Sequence, residues 1–293
     1  MGITQEMVSV QTSTRAVPKR AMEFDAWLDD LPKHFAADGD IVTSHLLAVL
    51  SSFFPDGEDY FVRSVEAVRD RIEDPKLRQD TDGFIGQESM HGREHRALNA
   101  RLAELGYPTG AIGTYVKKLT AFRERHQNEK ANLAVTAALE HYTATLAETL
   151  LTEPEARAEI AHDGVRYLLM WHALEESEHK AVAFDVYKRV GGTERMRVAM
   201  MWLVHLNFVL ETSIWTVISL AMDPAARRHP LRVLRGLRRL RRSPFMSRRA
   251  VRQLFQYHRR GFHPNDRDTT ELITVWRARL FGTNGKLTDL IAS

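Results

Sequence analysis

The octapeptide HALEESEH, residues 172–179, places two histidines and three glutamates in an otherwise apolar stretch. An α-helix advances about 100° per residue, so positions separated by four and by seven residues share one face. If this segment is helical, His172, Glu176 and His179 therefore lie together. That shared face is either a solvated polar stripe or a set of metal ligands, and the rest of the chain decides between the two.

Glutamates recur in a matching pattern on three other segments with helical spacing. In chain order the pattern is Glu58, then Glu88-x-x-His91, then Glu140, then Glu176-x-x-His179. The two halves of this series have similar spacing, as in an internal repeat. One E-x-x-H would be weak evidence, because Glu and His are common on helix surfaces, but two of them, each preceded by a glutamate on an earlier helix, favour ligands over a solvated stripe.

The pattern has a chemical explanation in a dinuclear metal site. Two neighbouring metal ions need bridging carboxylates and a neutral imidazole each. A four-helix bundle in which two helices give one Glu and two give an E-x-x-H motif builds a di-iron or di-manganese site. Buried carboxylates without such partners would each cost several kcal/mol. The sequence therefore predicts two metal ions between four helices.

His172 extends this ligand set. It lies one helical turn before Glu176, so it is a candidate seventh ligand; the alternative is a histidine of the core that does not bind metal. His95, one turn after the first E-x-x-H, is the competing imidazole. Glu94 and Glu175 are expected to orient the N–H groups of ligand rings instead of binding metal.

Length and composition indicate one large helical body. The chain has 293 residues, of which 44% are hydrophobic, and no cysteine, which excludes disulfides, thiolate metal sites and cysteine nucleophiles. Glycine and proline separate long segments of helical periodicity, and no alternating strand pattern is evident. We predict an all-α fold: a flexible arm over 1–20, a four-helix bundle over 21–192, and a packed helical extension over 193–293.

Local signals predict where these helices begin and end. Pro55 is expected to interrupt the first helix, Asn128 to cap the third, and Gly106 to end the second. Residues 163–190 are predicted to form one continuous helix. The first twenty residues lack the apolar run of a secretory signal, so we expect a cytoplasmic protein.

The extension contains an apolar segment and a basic one. Residues 197–222 are long enough to cross a bilayer, for which about 20 residues suffice, but His205, Asn207 and Glu211 near the middle would be costly in lipid. This segment is therefore either a buried helix, a homodimer interface, or a site of peripheral membrane contact.

The basic segment, residues 227–260, has thirteen arginines and no Asp, Glu or Lys, which leaves 28 basic and 38 acidic residues elsewhere. It suits an anionic leaflet or an acidic partner. No nucleic-acid partner is expected, because aromatic residues are not interleaved with the arginines.

These residues resemble two known groups of proteins. Over 40–190 the chain resembles the ferritin-like di-iron carboxylate superfamily, and with His172 the ligand pattern is similar to that of p-aminobenzoate N-oxygenase-type proteins. Over nearly the whole chain it resembles a bacterial family called predicted metal-dependent hydrolases. The similar stretches are GQESMHGREH, LEHYTA, WHALEESEHK and RRGFHPND, with Asn265 standing where that family commonly has an aromatic residue.

The resemblance implies a ferritin-like bundle with a specific ligand set and activity. The implied ligands are Glu58, Glu88, His91, Glu140, His172, Glu176 and His179. They would hold two iron ions, with manganese as an alternative, in an oxygenase or oxidase that uses O₂ and an electron donor to oxidise a small organic substrate. Two alternatives stay open: a metal-dependent hydrolase with a hydroxide bridging the metals, and a non-catalytic ferritin-like metal-binding protein.

Overall fold

Helices account for nearly all the regular structure in the computed structural model, which describes residues 17–291. No β-strand occurs in this part of the chain, and two isolated bridges, Met22 to Ile291 and Ala36 to Ile160, join its segments. The all-α prediction is thus confirmed. The helices are α1 Ile41–Glu66, α2 Pro75–Glu104, α3 Thr109–His126, α4 Glu129–Thr152, α5 Pro154–Ala158, α6 Asp163–His179, α7 Val182–Arg189, α8 Glu194–Met222, α9 Pro224–Arg228, α10 Pro230–Leu240, α11 Arg248–Gln256 and α12 Thr270–Phe281.

Four of these helices surround a common interior. α1 packs against α2 and α4, and α6 packs against the same two helices, so the four close a ring. α3 lies against α1, α8 against α1 and α4, α11 against α4, and α12 against α6. Two apolar clusters fill the ring, one around Trp171 and the other around Tyr60, Phe84 and Tyr142. Burial of these large side chains is the main favourable contribution to the fold.

Helix ends follow the local sequence closely. Asn128 accepts a hydrogen bond from the backbone N–H of Ala131 at 2.9 Å and caps α4, as predicted. Gly106 adopts φ +89° just beyond the end of α2, a left-handed conformation that glycine adopts without steric cost, so the predicted stop is also confirmed.

The prediction that Pro55 interrupts the first helix is wrong, because α1 continues through it. Proline has no N–H to donate to the carbonyl four residues earlier, that of Ser51. The side-chain amide of Asn99, on α2, donates to that carbonyl instead, with Nδ2 3.0 Å from the oxygen. A tertiary contact thus replaces the missing helical hydrogen bond, and it cannot be read from the residues around Pro55.

The predicted helix over 163–190 is divided in two. α6 ends at His179 and α7 begins at Val182, with Lys180 between them donating to the backbone carbonyl of Arg267 at 2.6 Å. α7 then packs against α2 and α4. His179 is consequently the last residue of α6.

The apolar helix α8 is mostly exposed, so it is not a buried helix of the fold as one alternative held. It is the one helix among residues 17–291 that is long and apolar enough to cross a membrane, and 22% of its most apolar window is buried. Of the predicted flexible arm, residues 1–16 lie outside the described residues. Arg20, by contrast, packs onto α6.

Candidate metal centre

All seven predicted ligand side chains meet in the interior of the ring. Each is no more than 4% exposed, although every one is ionisable. α1 contributes one of them, α2 two, α4 one and α6 three. Ionisable groups are rarely buried this completely unless they are paired or bind metal, so their convergence calls for a counter-charge. They are Glu58, Glu88, His91, Glu140, His172, Glu176 and His179.

One half of the centre surrounds the ring of His179. Its Nε2 lies 3.0 Å from Glu88 Oε1, 3.4 Å from Glu140 Oε2 and 3.7 Å from Glu176 Oε2. Donor atoms of these four residues all lie within 4.8 Å of one another. Neighbouring ligands of one ion, with bonds of about 2.0–2.2 Å, are separated by about 3–3.5 Å, so this group fits a single metal ion.

The other half surrounds His91 and His172. His91 Nδ1 lies 3.7 Å from Glu88 Oε1 and 3.9 Å from Glu176 Oε1. His172 Nε2 lies 2.9 Å from Glu176 Oε1 and 3.7 Å from Glu58 Oε1. Glu88 and Glu176 therefore face both halves, as bridging carboxylates would, whereas the other ligands each face one half.

Unsatisfied polar atoms mark the interior of the centre. Both carboxylate oxygens of Glu58, Glu88 and Glu140 are buried without a well-aligned hydrogen-bond partner, and so are His91 Nδ1 and His179 Nε2, although His179 Nε2 lies 3.0 Å from Glu88 Oε1. Buried polar groups nearly always have partners, and leaving one unpaired costs about 1–3 kcal/mol. These atoms belong to residues that face the two halves, so the donor set fits two cations. Carboxylate and imidazole donors without thiolate suit iron or manganese.

Charge repulsion shows in the acidities of the carboxyl groups. Burial, together with the negative charges of Glu176 and Glu88, raises the pKa of Glu140 to about 8. Burial and Glu88 likewise raise the pKa of Glu58 well above its ordinary value. Without metal, Glu140 is therefore mostly protonated at neutral pH.

For the two histidines of the E-x-x-H motifs, the neighbouring carboxylates have a larger effect on the pKa than burial does. Burial alone would lower the pKa of His179, but the carboxylates of Glu140 and Glu176 raise it well above the ordinary value. Burial would also lower the pKa of His91, yet Glu175 and Glu88 raise it to about 10. In the metal-free chain, the positive charges of these two protonated rings thus compensate the buried carboxylates, as a metal cation would.

A chain of hydrogen bonds sets the orientation of His172. Asn99 donates to the Ser51 carbonyl, so its Oδ1 is free to accept from the Ser51 hydroxyl, 2.8 Å away. Ser51 Oγ must then accept from His95 Nδ1–H at 2.9 Å, which leaves His95 Nε2 as the acceptor for His172 Nδ1–H at 2.8 Å. Burial keeps the pKa of His95 well below its ordinary value, in agreement with a neutral ring.

This chain favours His172 over His95 as the seventh ligand. With its proton on Nδ1, His172 directs Nε2 towards the carboxylates of Glu58 and Glu176, where a cation between them would accept its lone pair. Both nitrogens of His95 are already engaged in hydrogen bonds. His95 thus lies where a residue that orients a ligand is expected.

The other two histidines predicted as ligands also have hydrogen-bond partners on the side of the ring that faces away from the centre. His91 Nε2 donates to Glu175 Oε2 at 3.1 Å, and Arg20 in turn donates to Glu175 at 2.7 Å. His179 Nδ1 donates to the side-chain oxygen of Gln87 at 2.8 Å. Glu175 lies where the sequence predicted it. Gln87 and Arg20 were not identified from the sequence, because each reaches its partner only through the packing of α6 against a distant segment.

Glu94 has a different role from the one predicted. Its Oε2 accepts from the backbone N–H of Phe24 at 2.9 Å and its Oε1 from Arg93 Nε at 2.9 Å, so the contacts it makes tie the N-terminal segment to α2. The prediction was based on the position of Glu94 one helical turn beyond His91. The N-terminal segment that Glu94 contacts instead is distant in sequence, so its presence there could not be expected.

The chain belongs to a family described as predicted metal-dependent hydrolases, whose model matches residues 18–268. The match spans the whole ring of helices and most of the C-terminal extension. Neither the comparison with curated proteins nor that with solved structures finds a match to the chain. Together, the family and the buried His/Glu clusters indicate a metal-dependent protein.

Proposed function

We propose that this chain is a non-haem di-iron oxygenase or oxidase with a ferritin-like arrangement of its four ligand helices. The observation that carries the proposal is the sharing of Glu88 and Glu176 between two compact ligand groups. One group adds Glu140 and His179, and the other adds Glu58 with two imidazoles. Ferritin-like carboxylate proteins build dinuclear sites from this combination of residue types on four helices.

Enclosure of the centre supports oxygen chemistry. The ligands are nearly inaccessible, and aromatic rings lie against them: Trp171 is edge-on to His91 at 5.0 Å, and Phe84 is edge-on to His179 at 5.0 Å between ring centroids. Dioxygen is small and apolar enough to enter such an interior. Bound iron would supply the activation of O₂, with electrons from a donor, and the oxidation of a small organic substrate.

The side chains of the protein would then bind the metal ions, orient the ligands and shield the centre from water. Glu88 and Glu176 would hold both ions, and the hydrogen-bonded chain through His95 keeps Nε2 of His172 directed inward. Phe54 packs 4.5 Å from the ring of His95 and 4.8 Å from that of His172, which excludes water from this side of the centre. Glu140 would release its proton when metal binds.

Metal-dependent hydrolysis is the second candidate, and the family description supports it more directly than it supports oxidation. In that reaction the metal ions would lower the pKa of a water molecule that attacks an ester or amide. No electron donor would be needed, and redox-inert zinc would support turnover. The same residues would hold the ions in either reaction.

Two measurements on the same preparation separate the candidates. Rapid mixing of the Fe(II)-loaded chain with oxygenated buffer should produce a transient absorption band that anaerobic buffer does not. The zinc-loaded chain should leave a panel of esters and amides intact under anaerobic conditions. Robust anaerobic hydrolysis by the zinc form, with no oxygen-dependent band in the iron form, would show that the chain is a hydrolase and not an oxygenase.

A further inference from the structure

The helix α8 exposes apolar side chains on its outer face, the reverse of a helix on the surface of a water-soluble protein. Its outward face exposes large apolar side chains, among them Leu206 at 64% and Val217 at 65%. Two of its polar residues are turned the other way: His205 bonds to the Tyr142 hydroxyl of α4, and Arg197 is fully buried. An exposed apolar surface of this extent marks an interaction site. The exposed apolar side chains of α8 are Trp202, Leu206, Val209, Leu210, Ile214, Val217, Ile218 and Met222.

A second apolar strip continues this surface. The ring of Phe255, on α11, lies 5.9 Å from that of Trp202, and Phe255 is itself 47% exposed. Val251, one turn earlier on α11, is 42% exposed. We call the exposed apolar residues of α8 and α11 together the apolar face.

Exposed arginines lie on α11 and on α10, which follows α8 through the short helix α9. On α11, Arg252 lies between Val251 and Phe255 in sequence and is exposed. On α10, Leu231 is 74% exposed, and Arg235 and Arg238 are exposed beside the leucines of that helix. Within residues 17–291 these three arginines form no ion pair with an acidic side chain, unlike Arg239, which pairs with Asp38. Their charge is therefore available to a partner.

We propose that the apolar face docks onto the surface of an anionic phospholipid membrane, with α8 lying in the plane of the interface. Apolar side chains together with exposed arginines match the boundary between acyl chains and anionic headgroups, where basic residues are attracted to the headgroup charge. α8 does not span the bilayer in this arrangement, because its inner side packs on α1 and α4.

Charge argues against a second copy of the chain as the occupant. A two-fold dimer brings the same patch of both subunits together, so the arginines of α11, such as Arg252, would be drawn close to one another. Like charges at a buried interface are unfavourable, and residues 227–260 contain no acidic residue to offset them. An anionic headgroup layer supplies the compensating charge.

Co-sedimentation of the purified full chain with lipid vesicles tests this proposal. We expect at least about tenfold more binding to mixed phosphatidylcholine–phosphatidylglycerol vesicles than to phosphatidylcholine alone, and less binding as salt rises. The double variant Leu206→Asp/Val217→Asp should no longer bind. Arg235→Glu/Arg238→Glu should lose the preference for anionic vesicles. The control Val275→Asp, an exposed apolar position on α12, should bind as the unmodified chain does.

Three results would overturn the proposal. One is the absence of vesicle binding by the unmodified chain. Another is a stable dimer in solution that Leu206→Asp/Val217→Asp converts to monomer, which would assign the apolar face to a second copy. The third is unchanged binding by the arginine variant, which would remove the role of charge even if the apolar variant failed to fold.

Discussion

Replacing Glu140 by glutamine should make the metal-free chain more stable and the metal-loaded chain less so. Glutamine has the same shape but no charge and no acidic proton. Both oxygens of Glu140 are buried without hydrogen-bond partners, and its pKa is raised to about 8. The substitution therefore removes a group that the metal-free fold holds at a cost and that a metal ion needs.

The magnitude follows from linkage between protonation and folding. A carboxyl group whose pKa is raised in the folded state binds a proton on folding, so it lowers stability progressively as pH rises from its ordinary pKa towards about 8. At pH 7 this cost is on the order of 3 kcal/mol, at about 1.4 kcal/mol per pH step. Because the buried amide also lacks partners, we expect a net gain of about 1–2 kcal/mol, or roughly 2–3 °C in Tm.

Thermal melting in a chelator, together with elemental analysis after reloading, measures both effects. The gain in Tm should be present at pH 7.5 and shrink towards pH 5, where the cost of protonation is small. Metal content should fall by about half or more. Glu148→Gln is the matched control: Glu148 is a buried glutamate on the same helix, paired with Arg267 at 3.1 Å, so its loss should lower Tm and leave metal content unchanged.

A Glu140→Gln variant that retains all its metal would contradict the role of Glu140 as a metal ligand. A variant that melted below the unmodified chain in chelator at pH 7.5 would also contradict the reasoning, because Glu140 would then stabilise the fold without metal.

Three further perturbations probe the surroundings of the centre. His95→Ala should weaken metal binding about tenfold, and His172→Ala should weaken it more, because only His172 is expected to bind metal directly. Metal affinities measured by competition with a chelator check this order, and a larger loss of affinity in the His95 variant would make His95 the ligand. The rise in Tm on adding Mn²⁺ should be larger at pH 8 than at pH 6, because Glu140 must lose its proton on binding; calorimetry that finds the opposite order would contradict the acidities described. Asn99→Ala should cost about 1–2 kcal/mol in urea unfolding of the metal-free chain, since the Ser51 carbonyl loses its donor, and an unchanged midpoint would show that Pro55 needs no compensation.

The convergence of the seven side chains was predictable because each signal is local. An E-x-x-H motif directs Glu88 and His91 to one spot whatever the rest of the fold, and the same holds for Glu176 and His179. Asn128 announced the start of α4 by its own side chain. Periodicity along each helix was therefore enough to identify which faces meet.

Contacts between distant segments were not predictable in the same way. Gln87 and His179 are 92 positions apart, and Arg20 and Glu175 are 155 apart. Nothing in the residues around Pro55 indicates that Asn99 will replace its missing hydrogen bond. Such partners depend on how helices are placed, which a single sequence does not specify locally.

The orientation of α8 escaped prediction for another reason. A helix that buries its apolar face and one that exposes it have the same hydropathy, so its composition was compatible with the core, a dimer or a membrane. The position of His205 against Tyr142 shows which side faces inward. That contact is formed between α8 and α4 and has no signature within α8.

Anomalous X-ray diffraction from crystals of the chain loaded with Fe(II) or Mn²⁺ tests the central claim most directly. We predict two anomalous peaks about 3.5–4 Å apart between α1, α2, α4 and α6, both within bonding distance of Glu88 or Glu176. A single peak, no peak among these seven side chains, or metal bound instead by His34, His45 and Asp223 would contradict the dinuclear centre.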